Sequence, residues 1–339
     1  VAGSASYRGA AALAVEGALR TGAGIVTLAS VEPVLAAVAA RLPECCLCPC
    51  EVGAGGGISP QNIDRIRLQK ASVLLVGPGL GYTAQSAARA AETRALVKTL
   101  LPGFSGSAVL DADGLNAAAD LLQTEKMPHP QGELILTPHP GEMARLTGLS
   151  VAQINADREN TACQYAEKWN AVVVLKGCRT VVAAPDGRVC TNSTGNPGLA
   201  RGGSGDVLAG MTAALLACGL PAYEAAACAV YLHGALPTVP LLRLASTECC
   251  RMISCPSWAG YLRKTTDKKK KGCLSVCRRD TPFNITITSP ALRPTFPRLP
   301  GCQAPCSPCG CGARPCRGSA PHGPALQAHW MPHRRQWHQ

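Results

Sequence analysis

The chain has 339 residues, 47% of them hydrophobic, which is enough for one large domain or two. Its net charge of +12 is unevenly placed, since the residues from Pro237 onward carry 16 Lys or Arg and 3 acids, whereas the first 236 carry 17 basic and 18 acidic residues. The nearly neutral first part gives no reason to expect a nucleic-acid partner. No apolar run approaches the roughly 18 to 20 residues of a membrane helix, and no signal peptide is recognisable, so we expect no membrane segment.

Cysteine usage indicates a reducing compartment. Nine of the 19 cysteines precede Pro237, and apart from a cluster at 45–50 they occur singly in apolar runs. This pattern is typical of buried reduced thiols, so we expect a cytoplasmic protein without a disulfide framework. Residues 1–4 have the pattern of a strand end that enters a glycine loop, and we expect that the gene product begins upstream of Val1.

Short apolar runs alternate with helical periodicity along the first part of the chain. The predicted strands are 25–28, 73–76, 109–110, 134–136 and 172–175, and the predicted helices are 10–21, 31–41, 85–101, 115–122, 151–169 and 221–234. The pattern of residues 45–57 indicates neither a helix nor a strand clearly. The alternation indicates an α/β fold with a mostly parallel central sheet and helices on both faces. Ligands of such sheets bind beyond the carboxyl ends of the strands, so the polar segments there should converge on one cleft.

A glycine-rich loop follows two further predicted strands, 180–184 and 188–191, and leads into a predicted helix at 206–218. Residues 202–205 read Gly-Gly-Ser-Gly, and their small side chains allow backbone N–H groups to come close to a ligand. The N-terminus of a helix favours an anion, most commonly a phosphate. The sequence therefore predicts a phosphate site here, with Asp206 as the first carboxylate inside it.

Two interpretations of Asp206 compete. An Asp at a helix start commonly caps the helix, and for an isolated Asp that interpretation is the better one. A cap does not need the preceding Gly-Gly-Ser-Gly segment, which instead suits phosphoryl transfer. In such a reaction, amides hold the migrating phosphate and a carboxylate accepts the proton of the attacking hydroxyl. We therefore predict that Asp206 is a catalytic base.

Seven short motifs occur in order along the chain. They are Gly-Pro-Gly at 77–79, Leu-Asp-Ala-Asp at 110–113, Leu-Thr-Pro-His-Pro-Gly-Glu at 136–142, Leu-Lys-Gly at 175–177, Thr-Gly-Asn-Pro-Gly at 194–198, Gly-Gly-Ser-Gly-Asp at 202–206 and Val-Tyr-Leu-His-Gly at 230–234. Together they resemble the ADP-dependent NAD(P)H-hydrate dehydratases, a branch of the ribokinase-like superfamily. The resemblance implies a ribokinase-like domain at 1–236. Residues 237–339, rich in Cys, Pro and basic residues, depart from the family pattern and are expected to form a disordered or irregular tail.

The resemblance implies a repair reaction on nicotinamide cofactors. Enzymes of this family phosphorylate the hydroxyl of the hydrated ring of the S-epimer, and elimination then restores NADH or NADPH while ADP becomes AMP and phosphate. On this resemblance Asp206 would be the base, ADP the co-substrate and Mg²⁺ the accompanying ion, with no protein residue assigned as a metal ligand. The assembly would be a homo-oligomer.

The resemblance also assigns the binding residues. The expected nucleotide-binding residues are Lys176, Gly177, Cys178, Arg179, Thr180, Gly202, Gly203, Ser204 and Gly205. The expected substrate-binding residues are Ala10, Gly79, His139, Asn196 and Asp206.

Several of these polar side chains also admit simpler interpretations. His139, between two prolines, could be a turn residue in solvent. Asp111 and Asp113 either end a strand and cap the next helix or lie near magnesium. Lys176 could be a solvated strand end, but it follows an apolar strand that places it at the cleft, which favours a phosphate or ribose contact.

Two other functions stay open. An ATP-dependent kinase of the same superfamily, acting on a thiazole or pyrimidine alcohol, would use a similar Gly-x-Gly-Asp loop, although the segment at 136–142 favours the dehydratase. A zinc- or nucleic-acid-binding protein would depend on the basic tail. Adjacent cysteines without a nearby His at 45–50, and Pro and Gly between the cysteines at 302–316, argue against zinc.

Overall fold

The computed structural model describes residues 1–82 and 86–235, and within them the chain forms two sheets and ten α-helices. The strands are β1 (Thr27–Ser30), β2 (Cys46–Pro49), β3 (Val73–Val76), β4 (Ser107–Leu110), β5 (Leu134–Leu136), β6 (Val172–Leu175), β7 (Val181–Ala183) and β8 (Val189–Thr191). The helices are α1 (Arg8–Arg20), α2 (Glu32–Ala39), α3 (Ile63–Arg67), α4 (Ala87–Leu100), α5 (Asp113–Leu121), α6 (Pro140–Thr147), α7 (Val151–Ala156), α8 (Arg158–Trp169), α9 (Ser204–Ala217) and α10 (Ala222–Ala235).

The main sheet has the strand order β3-β4-β5-β6-β7-β8. Strands β3 to β6 pair in parallel, and β7 and β8 continue the sheet antiparallel, which confirms the mostly parallel sheet and the predicted strand pair before the glycine-rich loop. The register places Val76, Leu110 and Leu136, the last residues of three strands, side by side. The segments that follow them therefore begin at one edge of the sheet.

Helices cover both faces of this sheet, as predicted. Successive side chains of a strand point to opposite faces, and both faces of these strands are apolar. Leu110 and Leu136 belong to one buried cluster with residues of α4 to α8, whereas Val109 and Ile135 belong to a second cluster with α9 and α10. The two clusters form the core on the two sides of the sheet.

Helices α1 and α9 approach each other closely at two glycines. A Cβ on Gly210 of α9 would lie 2.1 Å from the backbone oxygen of Ala14, and a Cβ on Gly17 of α1 would lie 2.6 Å from that of Val207. Both distances are shorter than a real Cβ contact, so these positions require glycine at this helix separation. The contact holds the first turns of α9, which follow the glycine-rich loop, against α1.

The structure departs from the predicted elements where local signals were weak. The predicted helix at 151–169 is two helices, because the Asp157 carboxylate accepts the N–H of Asn160 at 3.1 Å and starts α8 anew. The predicted strand at 25–28 begins two residues later, at Thr27. Residues 46–49 form β2 where no clear element was expected, and α3 and α6 were not predicted.

Among the residues that the structure describes, no helix is long and apolar enough to cross a membrane. The nine cysteines in this part of the chain are free thiols, but Cys46, Cys178 and Cys218 are exposed, so the expectation of buried thiols is wrong at these three positions. The predicted tail at 237–339, with the cysteines at 302–316, lies outside the described residues. The division of the chain at residue 236 therefore stays a prediction.

Candidate active site

The polar segments at the ends of β3 to β6 meet at one edge of the sheet, as predicted. Thr137 Oγ1 and Lys176 Nζ both donate to Asp111 Oδ1 at 2.7 Å, and the backbone N–H of Lys176 donates to the carbonyl of Pro138 at 2.8 Å. Gly77 has a φ of +133°, and a Cβ on it would lie 1.8 Å from the Asp111 carbonyl oxygen. Only glycine allows the segments after β3 and β4 to come this close.

Asp111 and Asp113 hold loops together instead of capping a helix. The N-cap residue of α5 is Ala112, at a φ of +48°, and it has no hydroxyl or carboxylate with which to cap. Asp113 Oδ2 accepts the N–H of Gly81 at 2.7 Å, which fastens the glycine loop after β3 to the start of α5. The helix-cap interpretation of these two carboxylates is therefore wrong.

The Lys176 ammonium group lies in a cluster of carboxylates. It is 2.7 Å from Asp111 Oδ1 and 3.7 Å from Glu142 Oε2, and its side chain is only 17% exposed. Burial lowers the pKa of Lys176, but the Asp111 and Glu142 carboxylates outweigh burial and raise it above its ordinary value. A Cβ on Gly205 would lie 3.4 Å from Nζ. Lys176 is thus a largely but not fully buried cation that joins the carboxylates to the glycine-rich loop, and the solvated-strand interpretation is wrong.

The glycine-rich loop ends at α9 without a side-chain cap from its own N-cap residue. That residue is Gly203, at a φ of +88°, and the helix begins at Ser204. The Ser204 N–H donates to the Arg201 carbonyl at 3.4 Å, whereas glycine at the N-cap offers no side-chain oxygen to the amides of Gly205 and Asp206. The helix dipole favours an anion at these amides. Asp206 is the third residue of α9, so the interpretation of Asp206 as the N-cap is wrong.

The Asp206 carboxylate lies in an environment that disfavours its charge. Burial, and then the Asp111 carboxylate, raise the pKa of Asp206 to about 6, although the Lys176 ammonium opposes them. The Asp113 and Glu142 carboxylates raise it further. A carboxylate with a pKa close to the working pH is a suitable general base.

His139 is the N-cap residue of α6, with a defined tautomer. Its Nδ1 accepts the backbone N–H groups of Gly141 at 3.0 Å and Glu142 at 3.2 Å, so the proton of the neutral ring is on Nε2. The Glu142 carboxylate completes a capping box by accepting the N–H of His139 at 2.8 Å. Burial and the Lys176 ammonium lower the pKa of His139. The His139 side chain is nevertheless 56% exposed, and its Nε2 lies 3.4 Å from Glu142 Oε1. The imidazole is therefore a helix cap that stays largely in solvent at the rim of the cleft, as the turn interpretation expected for its exposure.

A cavity of about 890 Å³ opens between the end of β6 and the glycine-rich loop. Ten of the predicted site residues line it, namely Lys176, Gly177, Cys178, Arg179, Thr180, Gly202, Ser204, Gly205, His139 and Asn196. The volume lies within the range of ordinary ligand pockets. The structure therefore brings most of the predicted nucleotide-binding residues around one cavity.

The four remaining predicted site residues, Ala10, Gly79, Gly203 and Asp206, are not among those that line this cavity. Gly203 lines a smaller pocket of about 70 Å³ against Leu13 of α1. Ala10 and Gly79 touch each other, because a Cβ on Gly79 would lie 2.7 Å from that of Ala10. Asp206 interacts electrostatically with Lys176, Asp111 and Asp113, and Asp113 in turn holds the glycine loop that contains Gly79.

The turn after β6 depends on a residue that the sequence analysis missed. Arg158 of α8 donates from Nη2 to the carbonyl oxygens of Leu175 at 2.8 Å and Lys176 at 3.2 Å. Thr180 Oγ1 closes the turn by donating to the Gly177 carbonyl at 3.0 Å. No local signal marked Arg158, since it precedes the turn by almost twenty residues and stands on a helix.

Metal ligation by protein side chains alone has little support in this part of the protein. Across 1–82 and 86–235, no group of three or more His, Cys, Asp or Glu side chains is arranged to hold a metal ion. This includes the cysteines at 45–50.

Comparisons with known proteins show which family the chain belongs to. The sequence profile of the NAD(P)H-hydrate dehydratase family matches residues 1–243. The chain is 46% identical over 237 residues to the bifunctional NAD(P)H-hydrate repair enzyme Nnr of Moorella thermoacetica, covering 69% of this chain and 43% of that protein. It is 39% identical over 240 residues to the ADP-dependent (S)-NAD(P)H-hydrate dehydratase of Neisseria meningitidis serogroup B, covering 70% of this chain and 75% of that protein.

A solved structure agrees with these relatives. The crystal structure of the ADP/ATP-dependent NAD(P)H-hydrate dehydratase from Bacillus subtilis, co-crystallized with ATP/Mg²⁺, superposes with a TM-score of 0.62 at 32% identity, covering 77% of this chain and 87% of that one. The chain spans less than half the length of the bifunctional relatives and about three quarters of the single-activity one. It adopts the ribokinase-like fold and belongs to the NAD(P)H-hydrate dehydratase family.

Proposed function

We propose that the protein repairs hydrated nicotinamide cofactors by ADP-dependent dehydration of the S-epimer of hydrated NADH or NADPH. The observation that carries the proposal is the position of Asp206, a carboxylate with a raised pKa in the first turn of a helix whose glycine-rich approach leaves its amides to a ligand. Membership of the family supports the same reaction. The products are NADH or NADPH, AMP and phosphate.

The proposed chemistry has two steps. Asp206 accepts the proton of the ring hydroxyl, and the hydroxyl oxygen forms a bond to the β-phosphorus of ADP while the bond to the AMP oxygen breaks. The amides of 202–205 stabilise the charge on the transferring group, because fixed N–H dipoles act strongly in a site shielded from water. The carbon–oxygen bond then breaks with phosphate as the leaving group, and loss of a ring proton restores the double bond.

We place ADP in the 890 Å³ cavity, held by the turn 176–180 and by Gly202, Gly203, Ser204 and Gly205. The Lys176 ammonium supports this placement, since it lies at the start of α9, where the phosphates would reach the amides. The hydrated cofactor would contact Ala10, Gly79, His139, Asn196 and Asp206. His139 would act there as an N–H donor, because its Nδ1 is already occupied by two backbone amides.

Mg²⁺ would enter with the nucleotide. Magnesium usually keeps several waters and is held by one or two carboxylates together with substrate phosphates. The carboxylates of Asp111 and Asp113 are oxygen donors of the right kind and act electrostatically on Asp206, so the donor set fits. The ion would neutralise phosphate charge there.

The test is an assay with hydrated NADH and ADP, in which the absorbance of the reduced nicotinamide should return. The competing proposal is a kinase that transfers phosphate from ATP to a thiazole or pyrimidine alcohol without elimination. No recovery of absorbance, together with phosphorylation of such an alcohol, would replace the dehydratase by the kinase.

At the level of the whole chain, we propose that residues 1–236 form the catalytic domain and that 237–339 are a separate tail. The free thiols in the described part suit a reducing compartment, and we assign the protein to the cytoplasm. We also propose a homo-oligomer, which sedimentation or light scattering would check.

A further inference from the structure

Ser204 and His233 form a hydrogen-bonded pair beside the glycine-rich loop. Ser204 Oγ lies 3.2 Å from His233 Nε2, and His233, in the last turn of α10, is only 8% exposed. Both residues line the 890 Å³ cavity. The proposed reaction uses the amides of 202–205 and the Asp206 carboxylate but assigns no task to this imidazole.

The end of α10 is also fixed against the opposite wall of the cavity. Thr194 Oγ1 donates to the carbonyl of Tyr231 at 2.9 Å, and a Cβ on Gly234 would lie 3.0 Å from the backbone nitrogen of Gly195. A side chain at residue 234 would therefore push the segment 194–195 away. The end of α10 is thus packed against the cavity wall formed by 192–196. The His233 imidazole on this helix end contacts the opposite wall, formed by 202–205.

The imidazole is neutral in this position. Burial lowers the pKa of His233 to about 4; the Ser204 backbone opposes this, and Arg201 and Lys176 reinforce it. So weak a base would not activate Ser204 as a nucleophile at neutral pH. A neutral imidazole still makes a full hydrogen bond, either as donor or as acceptor.

We propose that His233 is a positioning residue that orients the Ser204 hydroxyl toward the phosphate of a bound nucleoside diphosphate. When Nε2 carries the proton, the ring donates to Ser204 Oγ, and the hydroxyl hydrogen is left to donate to a phosphate oxygen. The other three residues of the 202–205 loop are glycines, so Ser204 is the position in that loop whose side chain needs to be oriented. The identity of the nucleotide as ADP rests on the proposed function.

The experiment is a double-mutant cycle on ADP affinity, measured by calorimetry on the full chain without hydrated cofactor. Ser204→Ala should weaken ADP binding by about 10- to 100-fold, since it removes a hydrogen bond to a charged group. His233→Ala should weaken it by severalfold and by no more than Ser204→Ala, since it leaves the Ser204 hydroxyl unoriented. The double variant should bind no more weakly than Ser204→Ala alone, because His233 acts through Ser204. His233→Gln, which can present an N–H near the position of Nε2, should recover most of the affinity.

Cys228→Ala is the matched control, since Cys228 is buried in the same helix but does not line the cavity. It should leave ADP affinity unchanged, and thermal unfolding should show that each variant is folded. Additive effects of the two alanine substitutions, or unchanged affinity in folded His233→Ala, would overturn the proposal. If His233→Ala does not fold, folded His233→Gln decides, and a large loss of affinity there is contrary to the proposal.

This cycle separates the inference from the proposed function. Coupling between the two residues in ADP binding, with no dehydration of hydrated NADH, would reject the reaction and keep the positioning role. Dehydration of hydrated NADH without coupling between Ser204 and His233 in ADP binding would keep the reaction and reject the positioning role.

Discussion

The Asp206 carboxylate carries the proposed chemistry, and its protonation state should control the rate. A base works only when it is deprotonated, and the pKa of Asp206 is raised to about 6. We therefore expect kcat/KM to fall about tenfold per pH unit below roughly pH 6. Asp206→Asn should lower kcat by several orders of magnitude and leave ADP affinity within about threefold of the parent. Steady-state kinetics and calorimetry measure these quantities, and turnover within a few-fold of the parent would contradict the assigned role.

The same substitution should stabilise the fold. Because the folded-state pKa of Asp206 is higher than the unfolded one, charging the carboxylate costs the folded state free energy, fully so above pH 6. Removing the charge should raise the free energy of unfolding by about 1 to 2 kcal/mol at pH 8, or about 3 to 6 °C in Tm, and by about half as much at pH 5.

Calorimetric melting of Asp206→Asn at the two pH values tests this stabilisation, and the same change at Asp64, whose side chain is 93% exposed, is the control. Equal Tm values for Asp206→Asn and the parent at pH 8 would show that the site does not penalise the charge.

The Lys176 ammonium compensates two buried carboxylates, so its removal should be costly. Lys176→Met leaves Asp111 and Glu142 without their cation and should lower the free energy of unfolding by about 3 kcal/mol. Adding Asp111→Asn to that variant should recover part of the loss. Urea denaturation measures both effects.

Lys98→Met is the control for the Lys176 prediction, since Lys98 pairs with Glu125 at an exposed site and should cost less than about 1 kcal/mol. Losses of similar size at Lys98 and Lys176 would contradict the compensating role of the buried ammonium.

At the scale of elements, the position of the glycine-rich loop at 202–205 depends on the close contact between α1 and α9. Gly210→Ala places a methyl group where the backbone of Ala14 already lies, so the two helices must separate. We expect a loss of about 1 to 3 kcal/mol in stability from overpacking, together with weaker ADP binding because the N-terminus of α9 moves with the helix.

The control on the same helix pair is Gly9→Ala in α1, where no other described atom lies within 4 Å of the new Cβ. It should leave the free energy of unfolding unchanged or raise it by about 0.5 to 1 kcal/mol. Unfolding curves with calorimetric ADP titrations compare the two variants. Equal stability and equal ADP affinity in the Gly210→Ala and Gly9→Ala variants would mean that the contact between α1 and α9 does not position the glycine-rich loop.

At the scale of the whole molecule, the described core clusters are built from residues between Ala2 and Val230. Residues 1–243, the part that the family profile matches, should therefore fold cooperatively and keep kcat/KM within about threefold of the full chain. Circular dichroism melting and the dehydration assay measure both properties. An unfolded or inactive 1–243 fragment would assign an essential role to the residues that follow.

The sequence determined the elements whose signals are local. Strands β3, β5 and β6 have the predicted bounds, because each is a short apolar run closed by glycine, proline or a polar residue. The glycine-rich approach to α9 and the chemistry expected of Asp206 also followed from neighbouring residues, since steric freedom of the backbone and the helix dipole are properties of a short segment. The family was recognised from motifs that are likewise short segments of the sequence.

The tertiary structure decided which of these segments touch. Asp111 and Lys176 are 65 residues apart and Ser204 and His233 are 29 apart, so no periodicity or spacing in the sequence links either pair. Arg158 reaches the end of β6 from another element. These contacts, and the pKa of Asp206 that depends on them, arise from strand register and helix packing, which bring together side chains that local sequence signals treat as independent.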